Sequence, residues 1–551
     1  MKIGVVIDEF KKLANWQLRI LEKLTQDLDF NVALLIPNDD SEKLHSTTLF
    51  SSCTFFEPKT IGLSGYLLKG QFLFEKKKLF KEKRTVSTSE LNSTFNTNEI
   101  LNIELKKQGI AWDCSDENVL QIRNIGLDLL LNLSSHVLSG KIIDSASQGT
   151  WAILHKEHTL KNSNPVGFTE TLQKKPGIGS AILKLSIDPK KNWVLDTAFF
   201  NRHWSMVETG LIAQEGTVSL LFKNLKKLKN EKIDISGKLI YPIEECQVPT
   251  IWLTVNYLFN FYGEVLNKFR EKFMSVVFRT RHECWTIFTG DKGFFETITQ
   301  SNTALEMPET EFWADPFLFE HHGDTYVFFE SYSYQTKRGK ISCGILKNNQ
   351  LVEVWDVLDK DYHLSFPFIF KEDGEIFLMP ETGANKRLEI YKAKNFPLEW
   401  ELCVTAFEGE MVADAFFYTD EAEQKWLFMN KQMDIASPLN TELFIYKVDS
   451  IRLKHIEPHL ENPVLIDARV ARNGGSIFKH EGNVYRPSQR NIDGIYGRAL
   501  NINKIEKLTI EEYQERTVQV IQPDFDSKLM GLHHIHELNG KFVFDAAFKS
   551  R

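Results

Sequence analysis

Apolar positions along the chain change rhythm near its middle. Before residue 285, the runs "KIGVVI", "NVALLIP", "LDLLLNLS" and "TWAILH" are nearly unbroken aliphatic stretches, the pattern of strands buried on both faces. Between the first two, "NWQLRILEKLTQDL" repeats its apolar residues at helical spacing. Strands alternating with helices predict a largely parallel sheet. "LFKNLKKLKNEK" (221–232) predicts a terminal helix, and an amphipathic stretch from about 250 to 280 predicts a helical connector. Residues 70–100, rich in Lys and then in Ser, Thr and Asn, read as a solvated excursion or mobile loop.

After residue 285 short apolar runs alternate with Gly and Asp turns, and one phrase recurs. Its copies are "DPFLFEHHGDTYVFFES", "FPFIFKEDGEIFLMPET", "DAFFYTDEAEQKWLFMN", "GGSIFKHEGNVYRPSQ" and "HHIHELNGKFVFDAA". Each is a strand, a tight turn, a second strand and a polar closing residue. The turn glycines are Gly323, Gly374, Gly482 and Gly540, with Gln424 near that place in the third copy. A period of roughly 50–58 residues is the length of a four-stranded blade. Five copies predict a five-bladed β-propeller; an irregular β-sandwich is the alternative. The expected fold class is therefore multidomain: a Rossmann-like α/β domain (1–235), a helical connector (236–284) and an all-β five-bladed propeller (285–551).

Composition narrows the function classes. The 551 residues are 42% hydrophobic and 25% charged, an ordinary globular mix with room for two to four domains at roughly 100–200 residues each. The net charge of -8 argues against a nucleic-acid binder that works by bulk charge. Six cysteines (Cys53, Cys114, Cys246, Cys284, Cys343 and Cys403) form no CxxC pair, so neither a zinc ribbon nor a secreted disulfide framework is expected. "MKIGVVIDEF" reads as a first strand rather than a signal peptide. "IWLTVNYLFNFYG" is too short to span a bilayer and contains Asn256 and Asn260. A cytoplasmic location without stable membrane insertion is expected.

The repeat also places candidate chemistry. In a propeller the first strand of each blade lines the central channel. Those strands open on Asp315, Phe366-Pro367, Asp414, Asn473-Gly474 and His533-His534, and the second strands close on Glu330, Glu381, Asn430, Gln489 and Asp545. Carboxylates crowded in a poorly solvated funnel push each other's pKa values apart, as an acid and a base for glycoside chemistry require. Trp313, Tyr332, Tyr334, Phe366 and Tyr496 could stack on sugar faces, and Arg469, Arg472, Arg486 and Arg498 could bind a phosphate or sugar acid. The candidate catalytic set is Asp315, Asp414 and Glu381. The candidate substrate-binding set adds Glu330, Asn473, Gln489, His533 and His534 to the four arginines. Asp before Pro also starts turns, and acids at strand ends also cap backbone, so a structural role stays open for each carboxylate. "HHIH" (His533, His534, His536) is a weak metal signature beside hydrogen-bonded core histidines; neither a metal nor a cofactor is expected.

Two resemblances add to these readings. "WADPFLFE", "HLSFPFIFKEDGEIFLMPET", "VADAFFY", "DARVARNGGSIF", "YRPSQ" and "YGRAL" resemble the five-bladed propellers of the glycoside hydrolase family 43 type. They are closer still to the propeller-like domain preceding the transferase domain of plant glucosamine inositolphosphorylceramide transferases. The hydrolase likeness implies Asp315 as general base and Asp414 as a pKa-tuning acid. The expected acid in the fourth blade is replaced by "ARNGG" with Asn473, and Glu381 from another blade is the substitute. "MKIGVVID", "LDLLLNLSSHVLSGKIIDSASQGTWAILH" and "GSAILKLSIDPKKNWVL" resemble the formyltransferase N-terminal fold of methionyl-tRNA and sugar N-formyltransferases. That family's Asn-x-His falls here on Ala152 and Leu154 and its Asp on Lys190, with His155 and Asp188 displaced by one and two residues; the resemblance thus implies a domain that has lost formyl transfer.

The expected function is a carbohydrate-active protein of cell-surface glycan biosynthesis, performing glycosyl transfer or cleavage at the propeller funnel. Its partners would be a glycan, a nucleotide sugar or a sugar phosphate. A non-catalytic glycan-binding scaffold serving a separate glycosyltransferase is the alternative, and a sugar N-formyltransferase a weaker one.

Overall fold

The computed structural model describes residues 1–38, 62–79, 100–108, 111–155, 164–188, 191–230, 240–241, 248–278, 282–291 and 302–550, with isolated positions between them. Cys53, Cys246 and Lys190 lie outside the described residues. The chain forms two compact units, Met1–Asn267 and Lys268–Arg551.

The first unit is built on a ten-stranded mixed sheet. Its strands are β1 (Lys2–Val6), β2 (Asn31–Asn38), β3 (Ile100–Gln108), β4 (Ala111–Cys114), β5 (Leu129–Asn132), β6 (Leu138–Ser139), β7 (Thr150–Leu154), β8 (Gly177–Lys184), β9 (Asn192–Asn201) and β10 (Ile240–Tyr241). The order is β10-β9-β8-β7-β5-β1-β2-β3-β4-β6. The centre is parallel (β3-β2-β1-β5-β7), as the aliphatic runs predict. The largely parallel expectation fails on both sides of that centre: β7 to β10 are antiparallel, and so is the β3–β4 hairpin. Of β7 to β10, only β8 and β9 are joined by a short link, residues 185–191; a helix lies between β7 and β8, and another between β9 and β10.

Helices pack on and beside the sheet. They are α1 (Asn15–Gln26), α2 (Leu63–Phe74), α3 (Asp116–Ile125), α4 (Phe168–Leu172), α5 (Met206–Lys229) and α6 (Ile251–Val277). Val6, Leu35 and Leu130 pack with Val119 and Ile122 of α3. Ala181 belongs to that cluster, whereas Ser180 donates to the Ala213 carbonyl of α5 at 3.2 Å. Successive strand residues face opposite sides, so α5 covers the other face. A Cβ at Gly216 would lie 2.2 Å from the Phe200 ring, which shows how closely α5 approaches the sheet. Part of the 70–100 stretch corrects the loop expectation: α2 runs through it and continues as a π-turn, Glu75–Leu79. Burial of Gln71 and Glu75 holds that turn in place.

The second unit is a five-bladed propeller of four-stranded antiparallel sheets, one with an extra short strand. The inner strands are Glu311–His321, Ser365–Glu372, Val412–Thr419, Phe478–His480 and Leu529–Leu538. The ring closes because His282–Gly290 pairs with Lys541–Ser550, placing the beginning and end of the unit in one blade. Turns such as His322-Gly323 and Asp373-Gly374 have φ of 50°, 89°, 49° and 81°, the left-handed pair that two-residue hairpins need. Phe317 meets Phe366 and Phe368 edge-on at 5.0 and 5.9 Å, and Phe416 stacks on Phe428 at 5.2 Å. Phenylalanine thus fills the core beneath the polar strand openings.

Candidate functional site

A β-bulge recurs where the inner strands open. Pairing skips between Ala314 and Phe317, between Ser365 and Phe368, between Ala413 and Phe416, and between Leu532 and Ile535. In the first three blades the bulged residue has positive φ: Asp315 (51°), Phe366 (44°) and Asp414 (47°). A non-glycine residue there costs on the order of 1–2 kcal/mol. Strain repeated at equivalent positions re-aims side chains toward the centre. The same register makes His533 the repeat partner of Asp315.

Two buried ion clusters result. In the first, His533 bridges two carboxylates: its Nε2 lies 3.1 Å from Asp315 Oδ1 and its Nδ1 2.9 Å from Asp545 Oδ1. Asp545 also accepts the backbone N–H groups of Asp315 (2.8 Å), His533 (3.3 Å) and His534 (3.0 Å). Asp315 Oδ2 accepts the Phe366 N–H at 3.2 Å, which ties the fifth, first and second blades together. Burial disfavours charge on His533, but Asp545 and Asp315 outweigh it and raise its pKa to about 10. Burial likewise opposes the Asp315 carboxylate, but His533 overcomes it and holds Asp315 well below the usual carboxylate range. Asp315, His533 and Asp545 carry ligand atoms close enough together for a cation. With both ring nitrogens facing carboxylates, however, the charged imidazole itself fills that role.

In the second cluster, the Arg472 guanidinium donates to Asp414 (2.6 and 3.3 Å) and to Glu381 Oε2 (3.4 Å). Burial first, then Asp414 beside it, raises Glu381 to about 8 against the pull of Arg472. Glu381 is therefore a carboxylic acid at neutral pH, sharing a hydrogen bond with Asp414. Burial and then Asp315 also raise Glu330 well above its usual value. Glu330 Oε1 lies 3.4 Å from His363 Nε2, and a Cβ on Gly339 would approach that same oxygen to 2.5 Å.

The rim is aromatic. Arg472 stacks under Tyr496 at 5.4 Å, and Tyr496 is 42% exposed. Trp285 and Tyr496 lie 4.0 and 5.6 Å from the His533 ring. Tyr332 stacks on Phe312 at 4.6 Å and approaches His363 at 6.1 Å. At this end of the channel, here called the cup, the Glu381 and Arg472 side chains keep partial exposure, Asp315, Asp414, Glu330 and His533 are buried, and the aromatic rings lie beside them. A neutral acid, a cation and flat apolar faces suit a hydroxyl-rich ring bearing an acidic or phosphate group.

The other candidates are tied up in the fold. Asn473 is buried: its amide donates to the Asp414 carbonyl at 2.9 Å, and its oxygen accepts from Arg486 at 2.9 Å. Arg486 is fully buried, paired with Glu515 at 2.6 Å. Gln489 donates to the Asn473 carbonyl at 3.0 Å. Arg469 makes a two-pronged pair with Asp467, and Arg498 donates to the Met530 carbonyl at 3.1 Å. His534 is buried, edge-on to Phe317 and Phe366 at 4.6 and 5.1 Å. His536 accepts the Leu318 N–H, and burial lowers its pKa to about 3. Sequence reasoning missed His363 and Trp285, which stand outside the repeated phrase. It placed Asp545 at a strand end without seeing it as the partner of His533.

In the first unit, His155 is buried, 3.2 Å from Thr217 Oγ1 and edge-on to Trp16 at 5.0 Å. Burial lowers its pKa to about 3. Asp188 pairs with Lys191 at 3.8 Å. No described contact joins His155 to Asp188.

The second unit is thus a five-bladed propeller bearing an acid-lined, aromatic-rimmed cup. Residues 296–531 match the family model "Glucosamine inositolphosphorylceramide transferase 1, N-terminal". The curated relatives carry the corresponding name. The rice (Oryza sativa subsp. japonica) glucosamine inositolphosphorylceramide transferase 1 is 36% identical over 217 residues, covering 38% of this chain and 28% of the relative. The Arabidopsis thaliana protein is 35% identical over 212 residues, covering 37% and 27%. The chain therefore spans less than a third of either relative. Among solved structures, a thermostable family-43 glycoside hydrolase is 12% identical with a TM-score of 0.33, covering 43% of this chain and 88% of that one. A family-43 β-xylosidase/α-arabinofuranosidase from a compost microbial metagenome is 14% identical with a TM-score of 0.32, covering 43% and 90%.

Proposed function

We propose that the propeller cup binds the glycosyl group of a sugar conjugate in glycan biosynthesis, and that Glu381 is the acid of a glycosyl transfer there. The observation that carries this reading is the Glu381–Asp414–Arg472 cluster: a neutral carboxylic acid held between an anion and a cation, opening to solvent beneath Tyr496. In the transfer, the bond from the anomeric carbon to the leaving oxygen breaks, its electron pair staying on oxygen. Glu381 supplies the proton that oxygen takes up. The acceptor hydroxyl bonds to the anomeric carbon and gives its proton to a carboxylate. Arg472 holds the charged part of the donor, and Tyr332 and Tyr496 hold ring faces. The relatives' name, glucosamine inositolphosphorylceramide transferase, supports a sugar as one substrate and an anionic phosphate-bearing conjugate as the other.

A second reading is favoured by one observation. Asp315, the expected base, has Oδ1 on two imidazoles and Oδ2 on a backbone N–H, and a carboxylate so stabilised is a weak base. A non-catalytic glycan-binding protein serving a separate glycosyltransferase needs no base. Glu381→Gln separates the two: transfer predicts turnover of a nucleotide sugar that the variant loses while still binding it. Binding without turnover in the wild type would support the scaffold. A formyltransferase-like first unit is part of the same proposal, supported by its parallel centre; formyl transfer gains no support from a buried His155 that makes no described contact with Asp188. A cytoplasmic location belongs to the same proposal.

A further inference from the structure

Helix α2 and the part of α6 that belongs to the first unit, up to Asn267, lie side by side. Ser64 Oγ meets Thr254 Oγ1 at 2.7 Å, and Tyr262 donates to Gln71 at 3.2 Å. Tyr257 donates to Glu75 Oε1 at 2.7 Å. The inward residues are Leu68, Gln71 and Glu75 on α2 and Thr254, Tyr257 and Phe261 on α6. The opposite faces are apolar and exposed. On α2 they present Leu63, Tyr66, Leu67, Leu73 and Phe74. On α6 the exposed stripe is Trp252, Val255, Phe259, Tyr262 and Leu266, continuing at the same spacing through Phe269, Phe273 and Val276. Phe259 is 79% exposed, Phe269 71% and Trp252 68%. At 1.5 Å per residue the α6 stripe is about 36 Å long.

We infer that this two-helix apolar band lies on the surface of an anionic lipid bilayer without crossing it. No described helix is long and apolar enough to cross, and α6 carries Lys268, Arg270, Glu271 and Lys272 within its last turns. Charge favours an anionic surface. Although the chain's net charge is -8, Lys69, Lys76, Lys77 and Lys78 lie on or directly after α2. The anions of the two helices are Glu264, Glu271 and the buried Glu75. Basic residues beside a Trp- and Phe-rich face are the composition of an interfacial helix. The 3.5-residue spacing also admits a coiled coil with a second copy, but such seams are filled by Leu, Ile and Val, not by Trp, Phe and Tyr. A single-helix seam would also leave the α2 face uncovered.

The test is flotation of the full chain with phosphatidylcholine vesicles, with and without phosphatidylserine, beside light scattering without lipid. The band predicts a monomer that floats with the phosphatidylserine vesicles. Phe259→Glu combined with Phe269→Glu should abolish flotation. Lys76→Ala with Lys77→Ala should weaken it by about fivefold per residue at low salt. Absence of wild-type flotation, or flotation unchanged in the Phe259/Phe269 variant, would overturn the inference. A lipid-free dimer that the Phe259/Phe269 variant dissociates would overturn it as well.

Discussion

Replacing Asp545 by Asn tests the buried ion chain. The carboxylate has no exposure, balances His533 and accepts three backbone N–H groups as well. Asn offers one oxygen in place of two. It can serve His533 and His534 or Asp315, and its amide then confronts the donors on the other side. Removing one partner of a buried ion pair costs about 3–5 kcal/mol. At about 2–4 °C per kcal/mol for a unit of this size, the propeller's melting temperature should fall by roughly 10 °C. The loss should depend on pH. His533 has its folded value raised from 6.5 to about 10, so its stabilising contribution is complete below 6.5 and disappears as pH rises through 10. Asp545→Asn leaves it only Asp315, so the window narrows from above. The stability gap between wild type and variant should therefore be widest below pH 6.5 and shrink toward pH 10. Urea unfolding across that range measures the gap, and an NMR titration of labelled histidine measures His533 directly. A gap that does not vary with pH, or a His533 that titrates near 6.5 in the wild type, would refute the ion chain.

Three further outcomes follow from the same geometry. Glu381 binds its proton more tightly folded than unfolded, so it should lower stability progressively from pH 4.5 to about 8. Glu381→Gln should flatten that slope, and any transfer activity should fall as pH passes 8. Gly497→Ala should displace His533, because a Cβ there would lie 2.7 Å from His533 Cβ at φ 58°; the NMR histidine signal should shift, and the melting temperature should drop. Tyr257→Phe removes a hydroxyl that donates to Glu75 and accepts the Met206 N–H at 3.0 Å. It should destabilise the first unit by about 1–3 kcal/mol in urea unfolding, leaving the propeller unchanged.

The propeller was legible because its repeat is local: alternation, a turn glycine and a closing polar residue recur within one hairpin. That repeat also placed Asp315, Asp414, Glu381 and Glu330 at strand ends. It did not reveal which of them face solvent. Arg486 looked like an anion binder, but Glu515, 29 residues away on another strand, takes its guanidinium; nothing in the local pattern marks such a partner. His533 and Asp545 were both visible at repeat positions, yet their pairing depends on a bulge register that alternation does not encode. His363 and Trp285 have no repeat signature. In the first unit, aliphatic runs marked the parallel centre, whereas the antiparallel strands β8 to β10 carry no pattern that sets them apart from parallel ones. The Lys-rich run hid the end of α2, because its inward residues, Gln71 and Glu75, are polar.

The account stands most directly on the cup as a sugar site. Calorimetric titration of the full chain against nucleotide sugars, sugar phosphates and oligosaccharides, in the wild type and in Arg472→Ala, tests it. The account predicts that the wild type binds a ligand of this panel and that the variant loses it, because Arg472 joins Glu381 to Asp414 and supports Tyr496. No binding by the wild type, or binding that survives the loss of Arg472, would contradict it.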